Sequence, residues 1–218
     1  MGCLVLLRHG ESTANAADVF AGWLDPPLTD NGVREARAAG RELADLRPDS
    51  VLTSVLRRSV TTARLVVGAA GWGASPQCDW RLNERHYGAL QGLAKEEARR
   101  RFGSAMVAVW RRSVDVAPPP AGAAALSQQL ADRRYWPTPA ARLVRTESLA
   151  DVASRMAPYW RGVLAPRLAE GRTVVVVSHG NALRVLLHLA TGAALEETAR
   201  TEVPTATPIM PSLMLRER

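Results

Sequence analysis

Two histidines stand where apolar runs of the sequence end. His9 follows Arg8 after the run 4–7, and His179 comes shortly after the run Val174 to Val177. Both runs are aliphatic without alternation, which is typical of buried parallel strands. Because ligands of open α/β sheets bind beyond the carboxyl ends of such strands, we expect both imidazoles to face one pocket. One imidazole can attack phosphorus there, while the arginine and the second imidazole neutralise the phosphoryl oxygens.

Other polar residues near these strand ends can complete a phosphoryl site. Arg58 lies on the helix predicted after the second strand, where its guanidinium can hold two phosphate oxygens at once. Asn15 lies on the turn after the first strand, and Asn181 begins a helix whose N-terminus favours anions. Either histidine alone can also be a strand-end residue satisfied by the backbone. The pair, each followed by glycine, favours chemistry.

The composition is typical of a globular enzyme. The chain has 218 residues, 47% of them hydrophobic, and we treat residues 1–218 as a single domain with an ample core. No apolar run approaches the roughly 18 residues that span a bilayer, and no export signal is evident, so we expect a cytoplasmic protein without a membrane partner. Cys3 and Cys78 have neither disulfide-framework nor metal-site spacing, and we predict no metal.

The charged residues argue against a nucleic-acid partner. The net charge of +7 arises from 28 basic and 21 acidic residues, and every basic residue except Lys95 is arginine. The arginines are spread through helical patterns instead of forming a basic tract with aromatic residues between them. Lys95 is either a surface residue at a helix start or a ligand-binding group kept in an arginine-rich chain. The sequence leaves open whether the chain forms a homo-oligomer.

The hydrophobic pattern predicts an α/β fold, a three-layer sandwich with a mostly parallel central sheet and helices on both faces. We expect strands at 3–8, 51–54 and 173–178, an edge strand at 209–215, and helices at 29–46, 56–67, 149–169 and 181–190. The segment from about 80 to 145 breaks this pattern, with a helical stretch at 93–112 before a proline-rich loop. We predict that this insertion caps the active-site edge of the sheet.

Motifs along the chain resemble those of the histidine phosphatase superfamily and, within it, the 2,3-bisphosphoglycerate-dependent phosphoglycerate mutases. RHGES at 8–12 is typical of the superfamily, whereas WRLNERHYG at 80–88 followed by WRRS at 110–113 is much more specific to the mutases. Further matching segments are FAGW, PLT, TSVLRR, PPP, TESL, SHGN and VPT, at 20–23, 27–29, 53–58, 118–120, 146–149, 178–181 and 203–205. The resemblance runs from about residue 3 to about residue 210.

The resemblance implies a phosphoglycerate mutase-like fold and an activity. That activity is the interconversion of 3-phosphoglycerate and 2-phosphoglycerate through a phosphohistidine, with 2,3-bisphosphoglycerate as primer and no metal. The implied catalytic residues are His9, Glu84, His179, Arg8 and Arg58. The implied substrate-binding residues are Asn15, Gly22, Arg85, Tyr87, Lys95, Arg111, Arg112, Gly180 and Asn181. A small substrate with a phosphate and a carboxylate needs a second set of cations, because one anion must be held while the other reacts.

Two of these assignments have simpler alternatives. Glu84 follows Asn83 in a segment with two arginines, so an ordinary salt bridge to Arg81 or Arg85 would also explain it. Arg111 and Arg112 can be a solvated helix end. Because adjacent helical residues point about 100° apart, we expect at most one of these two arginines to reach a pocket.

Three alanines depart from the mutase pattern. Ala14 replaces a tryptophan, Ala21 replaces a serine or threonine, and Ala206 replaces a glycine that permits a positive φ. Few residues follow the last predicted strand, so we also expect a short covering tail. These departures favour a looser seal over the phosphohistidine. They keep open a phosphatase or mutase paralogue for another small phospho- or phosphono-carboxylic acid. A third alternative, a non-catalytic ligand-binding module, would be favoured by loss of His9, His179, Arg8 or Arg58, and all four are present.

Overall fold

A five-stranded sheet forms the centre of the computed structural model, which describes residues 2–138, 141 and 143–213. The strands are β1 (Cys3–Arg8), β2 (Ser50–Thr53), β3 (Gln77–Cys78), β4 (Thr173–Ser178) and β5 (Pro208–Ile209). Their spatial order is β3-β2-β4-β1-β5, and the pairings are parallel except that β5 runs antiparallel to β1. The strands that precede the two histidines are therefore neighbours, with Arg8 opposite Ser178.

Helices connect these strands. They are α1 (Thr13–Ala16), α2 (Asp30–Glu42), α3 (Arg57–Ala70), α4 (Lys95–Phe102), α5 (Ser104–Arg112), α6 (Ala123–Ala131), α7 (Leu149–Tyr159), α8 (Ala165–Ala169), α9 (Gly180–Thr191) and α10 (Leu195–Thr198). A π-helical turn, Trp160–Leu164, joins α7 to α8. Within the described ranges, no helix has the length and apolarity that a membrane crossing requires.

Alternation along the strands divides the core into two layers. Leu4 and Leu6 of β1 pack in one apolar cluster with residues of α7 and α9. Val5 and Leu7 of the same strand pack in a second cluster with residues of α2 and α3. Because successive side chains of a strand point to opposite faces, the two clusters lie on the two sides of the sheet. The predicted α/β class and mostly parallel sheet are confirmed.

Several predicted boundaries differ from the observed ones. The helix expected over 93–112 is broken at Gly103, whose φ of 84° lies in the left-handed region that glycine adopts readily. A short strand at 77–78 was not predicted, because two residues are too few to show an alternating pattern. The edge strand expected at 209–215 consists of Pro208–Ile209 in the described part, and residues 214 and 215 lie outside the described residues.

The segment 80–145 packs on the loop that follows β1. Leu90, Val107 and Trp110 form a small apolar cluster with Phe20, and Tyr135 stacks on Trp23 with ring centroids 5.2 Å apart. The loop after β1 and the insertion therefore support each other. These contacts are those expected of a capping insertion within one domain, which stays a prediction.

Candidate active site

A cavity of about 310 Å³ lies where β1 and β4 end and the insertion begins to cover the sheet. Of the residues implied by the sequence, the lining includes Arg8, His9, Asn15, Gly22, Arg58, Glu84, Tyr87, Lys95, Arg111, Gly180 and Asn181. His179 lies just beneath the lining, fully buried, with its ring centroid 5.0 Å from that of His9. Arg85 and Arg112 do not line the cavity. The structure thus brings most of the implied residues to one place.

His9 is held as a neutral imidazole whose one ring lone pair faces Arg58. Its Nδ1 lies 2.7 Å from the Gly10 carbonyl oxygen, and its Nε2 lies 3.3 Å from Arg58 Nε, which is a donor. We therefore assign the ring hydrogen to Nδ1 and the lone pair to Nε2. Burial and the charges of Arg58 and Arg8 hold the pKa of His9 well below its usual 6.5, although the bond to Gly10 raises it. A neutral imidazole with an available nitrogen is the form that attacks phosphorus.

His179 is also a neutral imidazole. Burial, followed by the charge of Arg58, keeps the pKa of His179 well below 6.5. Its Nε2 lies 2.7 Å from Ser54 Oγ, which also accepts from the Leu56 backbone N–H. With the Ser54 hydroxyl donating to Nε2, the ring hydrogen lies on Nδ1, a buried atom without a partner among the described residues. That N–H is available for a phosphoryl oxygen.

Arg58 does not present a free fork to the cavity, contrary to expectation. Its Nη1 donates to the Leu24 carbonyl at 2.9 Å and its Nη2 donates to the Gly22 carbonyl at 2.8 Å. The guanidinium is 1% exposed, and burial lowers its pKa to about 10, so it keeps its charge at neutral pH. Since the two carbonyls fix both ends of the fork, Nε is the atom that faces His9. Arg58 places a positive charge beside His9 with little freedom to move.

Arg8 is held by the segment after α10. Its Nη1 donates to the Val203 carbonyl at 2.9 Å, and its own carbonyl accepts from the Ala206 N–H at 2.9 Å. Its Nε is buried without a partner in the described part of the chain. Ala206 adopts a φ of 48°, the left-handed conformation anticipated from the missing glycine. The strained residue Ala206 is therefore one of the residues that hold Arg8 in place.

Glu84 makes no ion pair within the described residues, so its salt-bridge alternative is not observed. Its Oε1 accepts from the Arg85 N–H at 2.7 Å, and from the Asn181 backbone N–H and Nδ2 at 3.3 and 3.0 Å. Arg81 pairs instead with Asp79 at 2.6 Å. Because three donors fix Oε1, Oε2 is the oxygen left without a hydrogen bond among the described residues.

A buried ion pair holds the segment that carries Glu84. Arg155 and Glu147 are about 5% exposed and pair at 2.6 Å. Glu147 Oε2 also accepts from the His86 backbone N–H at 2.8 Å, and Arg155 Nη1 donates to the Arg81 carbonyl at 2.7 Å. The pair thus fixes the main chain on both sides of Glu84. Losing one partner of such a pair is costly, because the other charge is left buried.

Asn181 and Asn15 form hydrogen bonds with neighbouring residues of the site. Asn181 Nδ2 donates to Glu84 Oε1 and, at 3.0 Å, to Tyr87 Oη, which makes it a positioning group. Asn15 Oδ1 accepts from the backbone N–H and hydroxyl of Ser12, forming the capping box of α1. The Asn15 amide nitrogen remains a donor at the cavity wall. Sequence position alone does not reveal these local partners.

The residues implied for the second anion are divided between the cavity and its surroundings. Lys95 Nζ pairs with Asp18 at the rim, and this contact lowers the pKa of Asp18. Arg111 lines the cavity, whereas Arg112 is exposed outside it, which agrees with the angle between adjacent helical residues. Arg85 lies behind the cavity, 1% exposed, with its guanidinium 4.6 Å from the Tyr87 ring centroid. Neither Arg85 nor Arg112 lines the cavity, and their roles in substrate binding stay predictions.

Arg184 lines the cavity and was missed by the sequence analysis. Its Nε donates to the Thr201 carbonyl at 2.9 Å, and burial lowers its pKa while the carboxylate of Glu84 opposes that shift. Arg184 lies four residues after Gly180 on α9, so the two share a helix face. A Cβ at position 180 would lie 3.3 Å from Arg184 Nη1. Helical spacing from the His-Gly pair was the signal that could have found it.

Comparison with known proteins places this arrangement in a family. The model of the histidine phosphatase superfamily (branch 1) matches residues 4–135 and 123–209, and the chain belongs to this superfamily. A curated relative from Thermobifida fusca (strain YX) is 46% identical over 96% of this chain and 86% of its own length. Another, from Mycobacterium leprae (strain TN), is 46% identical over 94% of this chain and 84% of its own. Both are named 2,3-bisphosphoglycerate-dependent phosphoglycerate mutase, which confirms the resemblance inferred from the motifs.

A solved structure supports the same fold. A mycobacterial glucosyl-3-phosphoglycerate phosphatase in complex with VO3 superposes with a TM-score of 0.76 at 26% identity, covering 96% of this chain and 92% of that one. The named relatives therefore include both mutases and a phosphatase, and the mutases have the higher sequence identity.

Proposed function

We propose that the chain interconverts 3-phosphoglycerate and 2-phosphoglycerate through a phosphohistidine formed on His9, with 2,3-bisphosphoglycerate as intermediate and primer. The observation that carries this proposal is the pair of buried, neutral imidazoles 5.0 Å apart beside the Arg58 cation. The 46% identity to named mutases over nearly the whole chain supports the mutase assignment.

The buried donors of the cavity suit a phosphoryl group. Arg8 Nε and His179 Nδ1 are buried without partners among the described residues, and each such donor costs free energy until an acceptor arrives. An oxyanion beside His9 would satisfy both. Phosphorylation of His9 Nε2 removes the lone pair that Arg58 Nε now contacts, so the same N–H, without moving, would face the phosphoryl group. These donors stabilise charge on the phosphoryl oxygens during transfer.

Proton transfer falls to Glu84. When a substrate hydroxyl attacks the phosphorus of phospho-His9, the P–O bond forms, the P–N bond breaks, and Glu84 Oε2 accepts the hydroxyl proton. In the second half of the cycle, His9 Nε2 attacks the other phosphate, and Glu84 returns that proton to the leaving oxygen. Because Oε1 is held by Arg85 and Asn181, the carboxyl group keeps its orientation through both steps.

The outer cavity supplies the charges for the second anion. Lys95 and Arg111 line it, and Arg184 adds a third cation near Glu84. Lys95 must leave Asp18 in order to bind a substrate carboxylate or phosphate. A glycerate ester with two anionic groups therefore fits the distribution of charge, with one anion at His9 and the other towards Lys95.

The test is to label His9. Incubation with radiolabelled 2,3-bisphosphoglycerate should give acid-labile, base-stable label on the wild-type protein and none on His9→Gln. His188→Gln is the matched control, because His188 hydrogen-bonds to the Ala193 carbonyl on the far part of α9 and does not line the cavity. Isomerisation of 3-phosphoglycerate, followed in a coupled assay, should require catalytic 2,3-bisphosphoglycerate. Equal labelling of His9→Gln would overturn the assignment.

Hydrolysis is the second candidate, and the two alanines at the cavity wall favour it. Ala14 and Ala21 line the cavity where larger or hydroxylated residues would narrow it, so water reaches His9 more easily. Inorganic phosphate release from 2,3-bisphosphoglycerate should be measurable and slower than formation of 2-phosphoglycerate. Phosphate release faster than isomerisation, in one preparation, would replace the mutase proposal with a phosphatase.

A further inference from the structure

An apolar side pocket adjoins the phosphate cavity. It has a volume of about 280 Å³ and is formed by residues between Thr13 and Pro26. Ala14, Val19 and Ala21 line both spaces, so the side pocket and the phosphate cavity share a wall of small apolar side chains. The two spaces therefore lie side by side at this wall.

The side pocket differs from the cavity in chemistry. The residues that line it carry no charged side chain, whereas the phosphate cavity is lined by arginines, a lysine and a glutamate. A second phosphate or a carboxylate placed there would lose hydration without gaining a charged partner. Glycerate esters therefore have no group that suits this space, and its occupant must be apolar.

We propose that the active site has a second subsite in this pocket, which binds an aromatic ring attached to a phosphate or phosphonate whose anion lies at His9. The proposal rests on the phosphoryl site described above and extends its ligand class to aryl- and arylalkyl-substituted anions. The volume supports one ring, because an apolar cavity of about 150 Å³ suffices for benzene. Leu24 lines this pocket and is 41% exposed, so a ring bound there would be only partly buried.

The test compares two stable anions that differ by one ring. Benzylphosphonate and methylphosphonate carry the same anionic group, so their difference in dissociation constant reports on the ring alone. We expect the wild-type protein to bind benzylphosphonate about tenfold more tightly, roughly the effect of burying half of a phenyl group. Isothermal titration measures both constants without turnover.

Two tryptophan variants locate the ring. Ala17 is exposed and lines the side pocket but not the phosphate cavity, so Ala17→Trp should fill the pocket and bring the ratio of the two constants close to one. Ala16 is exposed and lines neither space, so Ala16→Trp should keep the tenfold ratio. Leu24→Ser removes apolar wall without filling the pocket and should reduce the ratio to about threefold.

The outcomes separate this proposal from the proposed function. A wild-type ratio near one, or an unchanged ratio in Ala17→Trp, overturns the aromatic subsite and leaves the phosphoryl site standing. Failure of both phosphonates to bind overturns the subsite together with the anion site at His9. Ring-dependent binding that responds to Ala17→Trp, combined with no turnover of 3-phosphoglycerate, supports the subsite and overturns the mutase proposal alone.

Discussion

The inner and outer ends of the cavity are built in different ways. At the inner end His9, Arg58 and His179 are each at most 3% exposed, and hydrogen bonds from the fold hold each of them. At the outer end Arg111 is exposed, and Lys95 is held by Asp18 through an exposed ion pair. Exposed charges are screened and mobile, whereas buried charges act through a lower dielectric.

Because of this difference, we expect the inner end to determine the type of reaction and the outer end to determine which substrate binds. Replacing an inner residue leaves buried carbonyls or an imidazole without a partner, so both the chemistry and the fold respond. Replacing an outer residue changes which anions bind and leaves the sheet edge intact. We therefore expect inner substitutions to lower kcat and outer substitutions to raise KM.

The largest expected effect concerns Glu84, which lines the cavity together with residues of both its inner and its outer end. Glu84→Gln keeps an acceptor for Asn181 but cannot carry a proton, so kcat for 3-phosphoglycerate should fall about 10³-fold. Release of nitrophenol from p-nitrophenyl phosphate should fall much less, because that leaving group needs no proton. The control is Glu11→Gln, since Glu11 accepts from the Thr29 hydroxyl outside the cavity. An equal loss with both substrates would show that Glu84 acts on structure.

The next effect tests how the inner end sets the charge of its histidines. Burial and, after it, the charge of Arg58 hold the pKa of His9 below 6.5, so wild-type kcat/KM should persist below pH 6.5 before protonation of His9 removes the nucleophile. Arg58→Met removes this charge, and the pKa of His9 should rise. The acidic limb of kcat/KM should then move to higher pH, with a loss of about 10²-fold at neutral pH.

The matched control for this experiment is Arg57→Met. Arg57 is the exposed neighbour on α3, so its removal should leave the acidic limb in place. NMR titration of the histidine Cε1 protons would report the pKa of His9 directly. An acidic limb that stays fixed in Arg58→Met would show that the charge of Arg58 does not set this pKa, which would leave burial and Arg8 as its causes.

The inner end was also the more predictable from sequence. His9 and His179 follow aliphatic runs, and neighbouring parallel strands bring such ends together, which agrees with the 5.0 Å between their rings. The hydrogen-bond partners of Arg58, which fix the orientation of its guanidinium, could not be predicted in this way. Its partners are the carbonyls of Gly22 and Leu24, and backbone groups of a distant loop leave no pattern in the sequence.

At the outer end, residue type alone does not predict which side chains line the cavity. Arg85 has the same charge as Arg111, yet it is buried behind Tyr87 and does not line the cavity. Arginine in a motif predicts a cation, not the direction in which it points. Likewise, the helical pattern over 93–112 concealed the turn at Gly103, because glycine also occurs within helices and its φ is decided by packing.

A tenfold effect should distinguish the two arginines at the end of α5. Arg111→Met should raise KM for 3-phosphoglycerate about tenfold with kcat nearly unchanged, because Arg111 lines the cavity and its contact with an anion is partly screened. Arg112→Met should change neither constant by more than about twofold, since Arg112 is exposed elsewhere. Steady-state kinetics at two salt concentrations would measure both. Equal effects of the two variants would contradict the observed geometry.

The smallest expected effect concerns the strained support of Arg8. Ala206 has a φ of 48°, where an alanine costs about 1–2 kcal/mol relative to its ordinary conformation. Ala206→Gly removes this cost but adds freedom to the unfolded chain, so the free energy of unfolding should rise by about 0.5–1 kcal/mol. Ala199→Gly is the matched control, because Ala199 has a φ of −58° and the same exchange there should lower the free energy of unfolding by about 1 kcal/mol. Urea unfolding of the three proteins measures these differences. If both glycine variants lose stability, Ala206 does not have the left-handed conformation. The segment that hydrogen-bonds to Arg8 then has a different backbone conformation.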